Sequence, residues 1–291
     1  MSGVYSSPEG RRAVEHRYRE LLGRWPVPHE QVRVPTALGE TFAVTCGPSG
    51  APPLLLLHGS ASNSAMWLGD VATWARRFRV HAVDLLGEPG LSAPSRPPLD
   101  PDVHAGWLDE VLTGLGVQRA SIAAVSLGGW AALAYATRRP DRVERLALMC
   151  PSGIGRQRVL PLLRALPLAA LGGEAGRRRA LHLLLGPHAA TLGETAGGLG
   201  GELGAFVLLV HRHFRPRRGK VPVFADEELR RLAMPVLVIA GDRDSLLDSR
   251  DTERRLARTL PGADVRILPR TGHLLPPRTQ EIMTFLEDPH A

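Results

Sequence analysis

The sequence predicts an α/β protein: a mostly parallel sheet with helices on both faces. Three observations carry this. Apolar runs such as "PPLLLLHG" and "MPVLVIAG" have strand length and no polar face, as strands buried on both sides do. Helical stretches alternate with such runs along most of the chain. The residues just after several of the runs include Ser, Asp and His, at the sheet edge where ligands bind in this architecture. A chain of 291 residues suffices for one large domain of this kind or two small ones.

Residues 8–23 show helical spacing, with Val14, Tyr18, Leu21 and Leu22 toward one face and Arg and Glu on the other. "WPVP" stops that helix. "QVRVP" and "ETFAVTCG" form a hairpin with its turn near Leu38 and Gly39. "PPLLLLHG" is a buried strand, 64–77 a helix, "FRVHAVD" a strand and 101–115 a helix. "ASIAAVS" is a strand, 128–139 a helix ended by Pro140, and "VERLALMCP" the sixth strand. The rhythm then breaks. Residues 152 to about 230 carry helical segments rich in Leu, Ala and Arg, and the glycine-rich "LGETAGGLGGELG" reads as a flexible loop. The rhythm resumes with "MPVLVIAGD", a helix over 249–260, "ADVRILP" and a helix over 278–286. The expected organisation is a core formed by 1–151 and 231–291 with a helical cap, 152–230, inserted after the sixth strand. Phe206 and Phe214 are expected to line the pocket beneath that cap.

Composition narrows the function classes. The net charge of +7 rests almost entirely on arginine, since Lys220 is the only lysine. The densest clusters, 177–179 and 215–220, are short and lack the aromatic ladder of a single-strand binder, so no nucleic-acid partner is expected. No apolar run is long enough to span a membrane, and the N-terminus lacks a signal-peptide core, so a cytoplasmic protein is expected. Cys46 and Cys150, the only cysteines, read as small buried hydrophobes and not as a bridge. "HRH" at 211–213 reads as polar surface, because histidines two apart on a helix diverge. No metal motif and no glycine-rich phosphate loop occurs, so neither metal nor cofactor is expected.

The residues capable of chemistry stand at the carboxyl ends of the strands. His58, Gly59 and Ser60 come after the third strand, and Asp84 after the fourth. Ser126 ends the fifth, in "SIAAVSLGGW". Asp242 and Asp244 come after "LVIAG", and His273 after the last strand. Each has a plainer reading: Ser126 as a helix cap, His273 as a surface histidine, Asp84 as the organiser of its own loop, His58 as a structural residue. A serine hydroxyl attacks a carbonyl only when a base takes its proton. Serine, carboxylate and histidine on one sheet edge could supply that arrangement.

In this order and context the chain resembles the α/β-hydrolase family from about residue 30 onward. "LLLHGSASNSAMW" is similar to the family's oxyanion loop, and "AVDLLGEPGLSAPSRPP" to its D-x-x-G-x-G-x-S loop. "GDRD" and "TGHLLP" are similar to its acid and histidine segments. "GEPGLSAPSRPP" and "FADEELRRLAMPVLVIAG" look most like a bacterial carboxylesterase subgroup. The resemblance implies an α/β-hydrolase fold with Ser126 as nucleophile, His273 as base and Asp244 as the acid that orients it, Asp242 and Asp248 being nearby alternatives. It also implies an oxyanion hole from the backbone N–H groups of Ser60 and Leu127. Ala124 departs from the usual G-x-S-x-G, but adds only a methyl group where the strand meets the helix. The activity implied is cleavage of small to medium apolar carboxylic esters through an acyl-enzyme. A thioesterase or cyclase, a carbon–carbon hydrolase, a cofactor-free perhydrolase and a non-catalytic ligand-binding protein on the same fold are the alternatives.

Overall fold

The computed structural model describes residues 3–191, 199–217 and 219–288. Its centre is an eight-stranded sheet of order β1-β2-β4-β3-β5-β6-β7-β8. The hairpin β1 (His29–Val34) and β2 (Thr41–Cys46) joins antiparallel to β4 (Arg79–Val83). The remaining strands, β3 (Pro53–Leu57), β5 (Ala120–Val125), β6 (Val143–Met149), β7 (Val236–Gly241) and β8 (Asp264–Leu268), run parallel.

The absence of a polar face has a direct structural cause. Successive side chains of a strand point to opposite faces. Leu55 and Leu57 enter the core beneath α3 (Pro101–Gly114) and α4 (Leu127–Ala136). Leu54 and Leu56 enter a second core with side chains of α1 (Pro8–Leu22), α2 (Val71–Trp74) and α10 (Thr279–Glu287). Fully burying one leucine stabilises by about 2 kcal/mol, so four in a row pin β3 at the centre. Helix starts reflect local chemistry. The Ser7 hydroxyl accepts from the Gly10 N–H at 3.0 Å and Pro8 opens α1. The Asp100 carboxylate accepts from Asp102 and Val103, and Pro101 opens α3.

Three expectations are corrected. The helix expected over 64–77 is a 3-10 turn, Ser64–Trp67, followed by the short α2. Asn63 caps the first piece through the Ala65 N–H, Gly69 separates the two, and Trp67 and Trp74 pack on each other with ring centroids 5.7 Å apart. Burying both indoles fixes this segment more strongly than helical continuity does. In the glycine-rich stretch 192–204, residues 192–198 lie outside the described residues. Residues 199–204 are not loop but the first turns of α7 (Leu199–His213), because Leu199 and Leu203 pack on the second core. Phe206 and Phe214, expected at a pocket, are buried side chains of the second core. Phe206 stacks on Tyr18 at 6.2 Å and Phe214 meets Tyr5 edge-on, so both bind α7 to the N-terminal segment.

Between β6 and β7 the chain forms α5 (Leu160–Leu171), α6 (Gly173–Leu185), a 3-10 turn at Pro187–Thr191, α7 and the short α8 (Asp226–Leu229). This segment is anchored at the carboxyl edge of the sheet. Gln157 bridges to Leu247, Arg158 N–H donates to Leu246 O, and Leu274 N–H donates to Leu185 O. α9 (Ser249–Thr259) comes after β7. Both cysteines are buried and free. Among the described residues no helix is long and apolar enough to cross a membrane.

α4 lies unusually close to the sheet. A Cβ at Gly128 would stand 2.5 Å from the His58 carbonyl oxygen and closer still to that of Leu57. Both are backbone atoms and cannot rotate away. Gly128→Ala is therefore expected to destabilise the fold by about 3 kcal/mol in urea denaturation, near the upper end for an added methyl. A loss below 0.5 kcal/mol, on the order of surface substitutions, would show that the packing is looser than described.

Candidate active site

Ser126 closes β5 and stands before α4 with φ 51° and ψ −110°. This is the left-handed side of conformational space, which a non-glycine residue enters only when its surroundings hold it there. They do. Ser126 N–H donates to Met149 O, and Ser126 O accepts from both Trp130 N–H and Ser152 N–H. The sharp turn lifts the side chain off the end of the sheet. Ala124 is fully buried between β3 and β6, so its methyl is absorbed by the core. The close approach falls on Gly128 and, on its other side, Gly129 against Pro151.

His273 lies in the loop after β8 and Asp244 in the loop after β7. His273 Nε2 lies 3.0 Å from Ser126 Oγ, and His273 Nδ1 lies 2.7 Å from Asp244 Oδ2. The other carboxylate oxygen, Asp244 Oδ1, accepts from Leu246 N–H at 2.8 Å and Leu247 N–H at 2.9 Å. Asp244 is 1 % exposed and His273 8 %. A carboxylate only accepts, so Nδ1 is the donor toward Asp244 and Nε2 faces the serine as the base nitrogen. This line of contacts can draw a proton from the Ser126 hydroxyl.

The neighbouring carboxylates serve other ends. Asp242 Oδ1 accepts from Thr271 N–H, tying the β7 loop to the histidine loop. Asp248 is the N-cap of α9 and accepts from Asp251 N–H at 3.1 Å. Asp84 accepts from Tyr18 Oη, from Ser64 N–H and Oγ, and from Leu91 N–H, and so organises the loop after β4. His58 donates from Nδ1 to Gly59 O while Nε2 accepts from Leu85 N–H. Burial pushes its pKa below the ordinary histidine range, consistent with the neutral ring those two bonds need.

Leu127 is the first residue of α4, so its N–H has no intrahelical acceptor. Among the described residues the Ser60 N–H has no protein acceptor either. Gly59 brings the Ser60 turn against the serine: a Cβ there would be 3.5 Å from Ser126 Cβ. Two residues at the site were not assigned to it from sequence. Glu88 accepts from Ser60 Oγ and Ala61 N–H. Cys150 lies behind the acid, and burial, with the Asp244 charge next, raises its thiol well above the usual range. Cys150, Asp244 and His273 hold their ligand atoms within 4.8 Å of one another. Those of Asp244 and His273 already serve each other, which leaves a poor donor set for an ion. His211 and His213, expected as polar surface, are half-buried instead, because α7 packs on the N-terminal helix. The His213 ring lies against Gly10, and burial holds His211 down to about 4.

A model of the alpha/beta hydrolase family matches residues 54–283. The chain belongs to that family. Among curated relatives it is similar to "Carboxylesterase YbfK" of Bacillus subtilis (strain 168), 30% identical over 263 residues that span 89% of this chain and 86% of that one. Among solved structures it resembles the Bacillus subtilis carboxylesterase CesB (YbfK), with a TM-score of 0.81 at 28% identity over 96% of this chain and 99% of that one. The Bacillus subtilis naproxen esterase (carboxylesterase NP) gives a TM-score of 0.82 at 26% identity over 97% and 99%. The family's fold thus extends over nearly the whole chain, the helices between β6 and β7 included.

Asp248 and Asp244 can be separated by experiment. Asp248→Ala should cost about 1 kcal/mol of stability through loss of the α9 cap, with ester turnover changed less than twofold. A Tm equal to that of the unmodified protein together with lost turnover would assign Asp248 to the chemistry.

Proposed function

We propose that Ser126 is the nucleophile, His273 the general base and acid, and Asp244 the orienting carboxylate of an ester hydrolase. The observation that carries this reading is the unbroken contact from Ser126 Oγ through both nitrogens of His273 to a buried Asp244. The protein is a hydrolase of the carboxylesterase type. Its reaction begins when His273 Nε2 takes the Ser126 proton as Oγ adds to the ester carbonyl. The N–H groups of Ser60 and Leu127 form the oxyanion hole and stabilise the charge on the former carbonyl oxygen. His273 then gives its proton to the leaving alcohol. Water, activated by the same nitrogen, releases the acid and frees the serine.

The substrates are small to medium apolar esters. Beside Leu127 a recess of about 10 Å³, room for no more than one water, is lined by apolar side chains such as Leu85, Leu86 and Leu99 together with His104 and Arg217. It is too small to hold an ester, so the support for an ester substrate is the likeness to the Bacillus subtilis carboxylesterases. We assign residues 152–230 as a cap over a core of 1–151 and 231–291. The support is its footing: α6 ends against the acid loop, where Ser245 Oγ donates to Leu184 O, and against the histidine loop, where Gly186 abuts Gly272. The protein needs no cofactor or metal in this scheme and works on a small molecule, without a nucleic-acid partner.

Two substitutions test the roles with p-nitrophenyl esters, thioesters and lactones as a panel. Ser126→Ala should lower kcat by roughly 10⁴ to 10⁶ with an unchanged circular dichroism spectrum. Asp244→Asn should lower kcat by roughly 10³ to 10⁴, because the amide cannot hold Nδ1 in its protonated tautomer. Retained turnover in Ser126→Ala would refute the mechanism. Binding of the panel without turnover by the unmodified protein would favour a ligand-binding protein instead.

A further inference from the structure

Glu88 has a position that the ester-hydrolase scheme does not use. Its side chain is completely buried. Oε2 accepts from Ala61 N–H at 2.7 Å and from Ser60 Oγ at 3.2 Å. Oε1, equally buried, has no hydrogen-bond partner, and neither does the Nε of Arg217, 3.8 Å from it. The rest of the Arg217 guanidinium donates to Pro97 O and Leu86 O. Burial pushes the Glu88 carboxyl up to about 7, against the opposing pull of the Ala61 N–H and of Arg217 and Arg96. A buried carboxylate is costly to keep, more so than a neutral amide of the same shape.

What it holds is the turn beside the serine. The proposed donor, Ser60 N–H, belongs to the peptide whose carbonyl is Gly59 O. His58 Nδ1 donates to that carbonyl. On the other side of the same residue, Glu88 grips the Ser60 hydroxyl and the Ala61 N–H. Ala61 has φ 56°, a left-handed conformation that a residue with a side chain does not keep unaided. Between these two anchors the Gly59–Ser60 peptide cannot turn. An oxyanion hole works only when its donors are aimed before charge develops.

We propose that Glu88 is a positioning residue that aims the Ser60 N–H at the developing oxyanion. This rests on the ester-hydrolase reading above. The grip depends on reach: the carboxylate must extend to Ala61 from the loop after β4. A residue needed only to balance the charge of Arg217 would depend on charge instead. The two requirements order the substitutions differently. Glu88→Gln keeps the reach and a carbonyl oxygen while losing the charge. Glu88→Asp keeps the charge and loses one methylene of reach.

The test measures kcat and KM for p-nitrophenyl butyrate, and Ki for an alkyl trifluoromethyl ketone, which forms a serine-bound oxyanion. The proteins compared are the unmodified chain, Glu88→Ala, Glu88→Asp, Glu88→Gln and Ser126→Ala. Glu88→Ala should lower kcat about 10- to 100-fold, less than the 10² to 10³ typical of a donor removed outright. KM should stay within about threefold, and Ki should rise in step with the loss of kcat. Glu88→Asp should lose about tenfold in kcat, and Glu88→Gln should stay within about fivefold of the unmodified chain. If Glu88→Ala does not fold, the order of the other two decides. The proposal is overturned if Glu88→Asp matches the unmodified chain, or outperforms Glu88→Gln, or if Ki fails to track kcat. An active Ser126→Ala would refute the ester-hydrolase reading itself. An inactive Ser126→Ala beside a fully active Glu88→Asp would refute the role of Glu88 alone.

Discussion

At the end of β5 the backbone turns through a conformation that a serine does not choose. Ser126 keeps φ at 51° because three backbone hydrogen bonds and a bare glycine leave it no alternative. Gly128 lets α4 run against the carbonyls of Leu57 and His58, and that contact sets how sharply the chain must turn. Such a conformation costs about 1–3 kcal/mol. The cost is offset by the parallel strands on either side, whose side chains are almost wholly buried. A stiff sheet is thus the condition for a serine that projects from it.

The same stiffness positions the partners. Asp244 and His273 come from the loops after β7 and β8, the second and third strands outward from β5 in the sheet. Those loops are bound to each other: Thr271 N–H donates to Asp242, Arg243 N–H donates to Thr271 O, and Gly241 packs on the Thr271 carbonyl. Asp244 is held by two backbone N–H groups before it meets the histidine. The imidazole therefore meets the serine in a set orientation, with little side-chain freedom left to lose. Precise placement of this kind accounts for much of what an active site contributes to rate.

Much of this was legible in the sequence, for identifiable reasons. Strands such as β3 and β7 consist almost wholly of buried aliphatic residues, and only a doubly covered sheet gives that pattern. Ser126, Asp244 and His273 could be proposed because each stands just beyond such a strand. Their contact could not be read from spacing, since serine and histidine lie 147 residues apart. Local periodicity failed where tertiary packing overrode it. Trp67 and Trp74 shortened a helix to reach each other, and Leu199 and Leu203 drew a glycine-rich stretch into α7. Phe206 and Phe214 looked like pocket aromatics but pack on Tyr18 and Tyr5, whose proximity the sequence did not reveal. Glu88 escaped for a similar reason. It looks like one more loop carboxylate until Ala61 and Arg217 are seen to close around it.

The central claim is that the strained turn presents Ser126 as an activated nucleophile, and covalent capture tests it most directly. The folded protein would be treated with a fluorophosphonate, digested and mapped by mass spectrometry, with a heat-unfolded sample alongside. One phosphonyl group per folded chain is predicted, on Ser126, and none on the unfolded chain, because activation needs His273 within reach. An adduct on another residue, equal labelling of the unfolded chain, or ester turnover by a protein whose Ser126 stays unmodified at saturating reagent would contradict it.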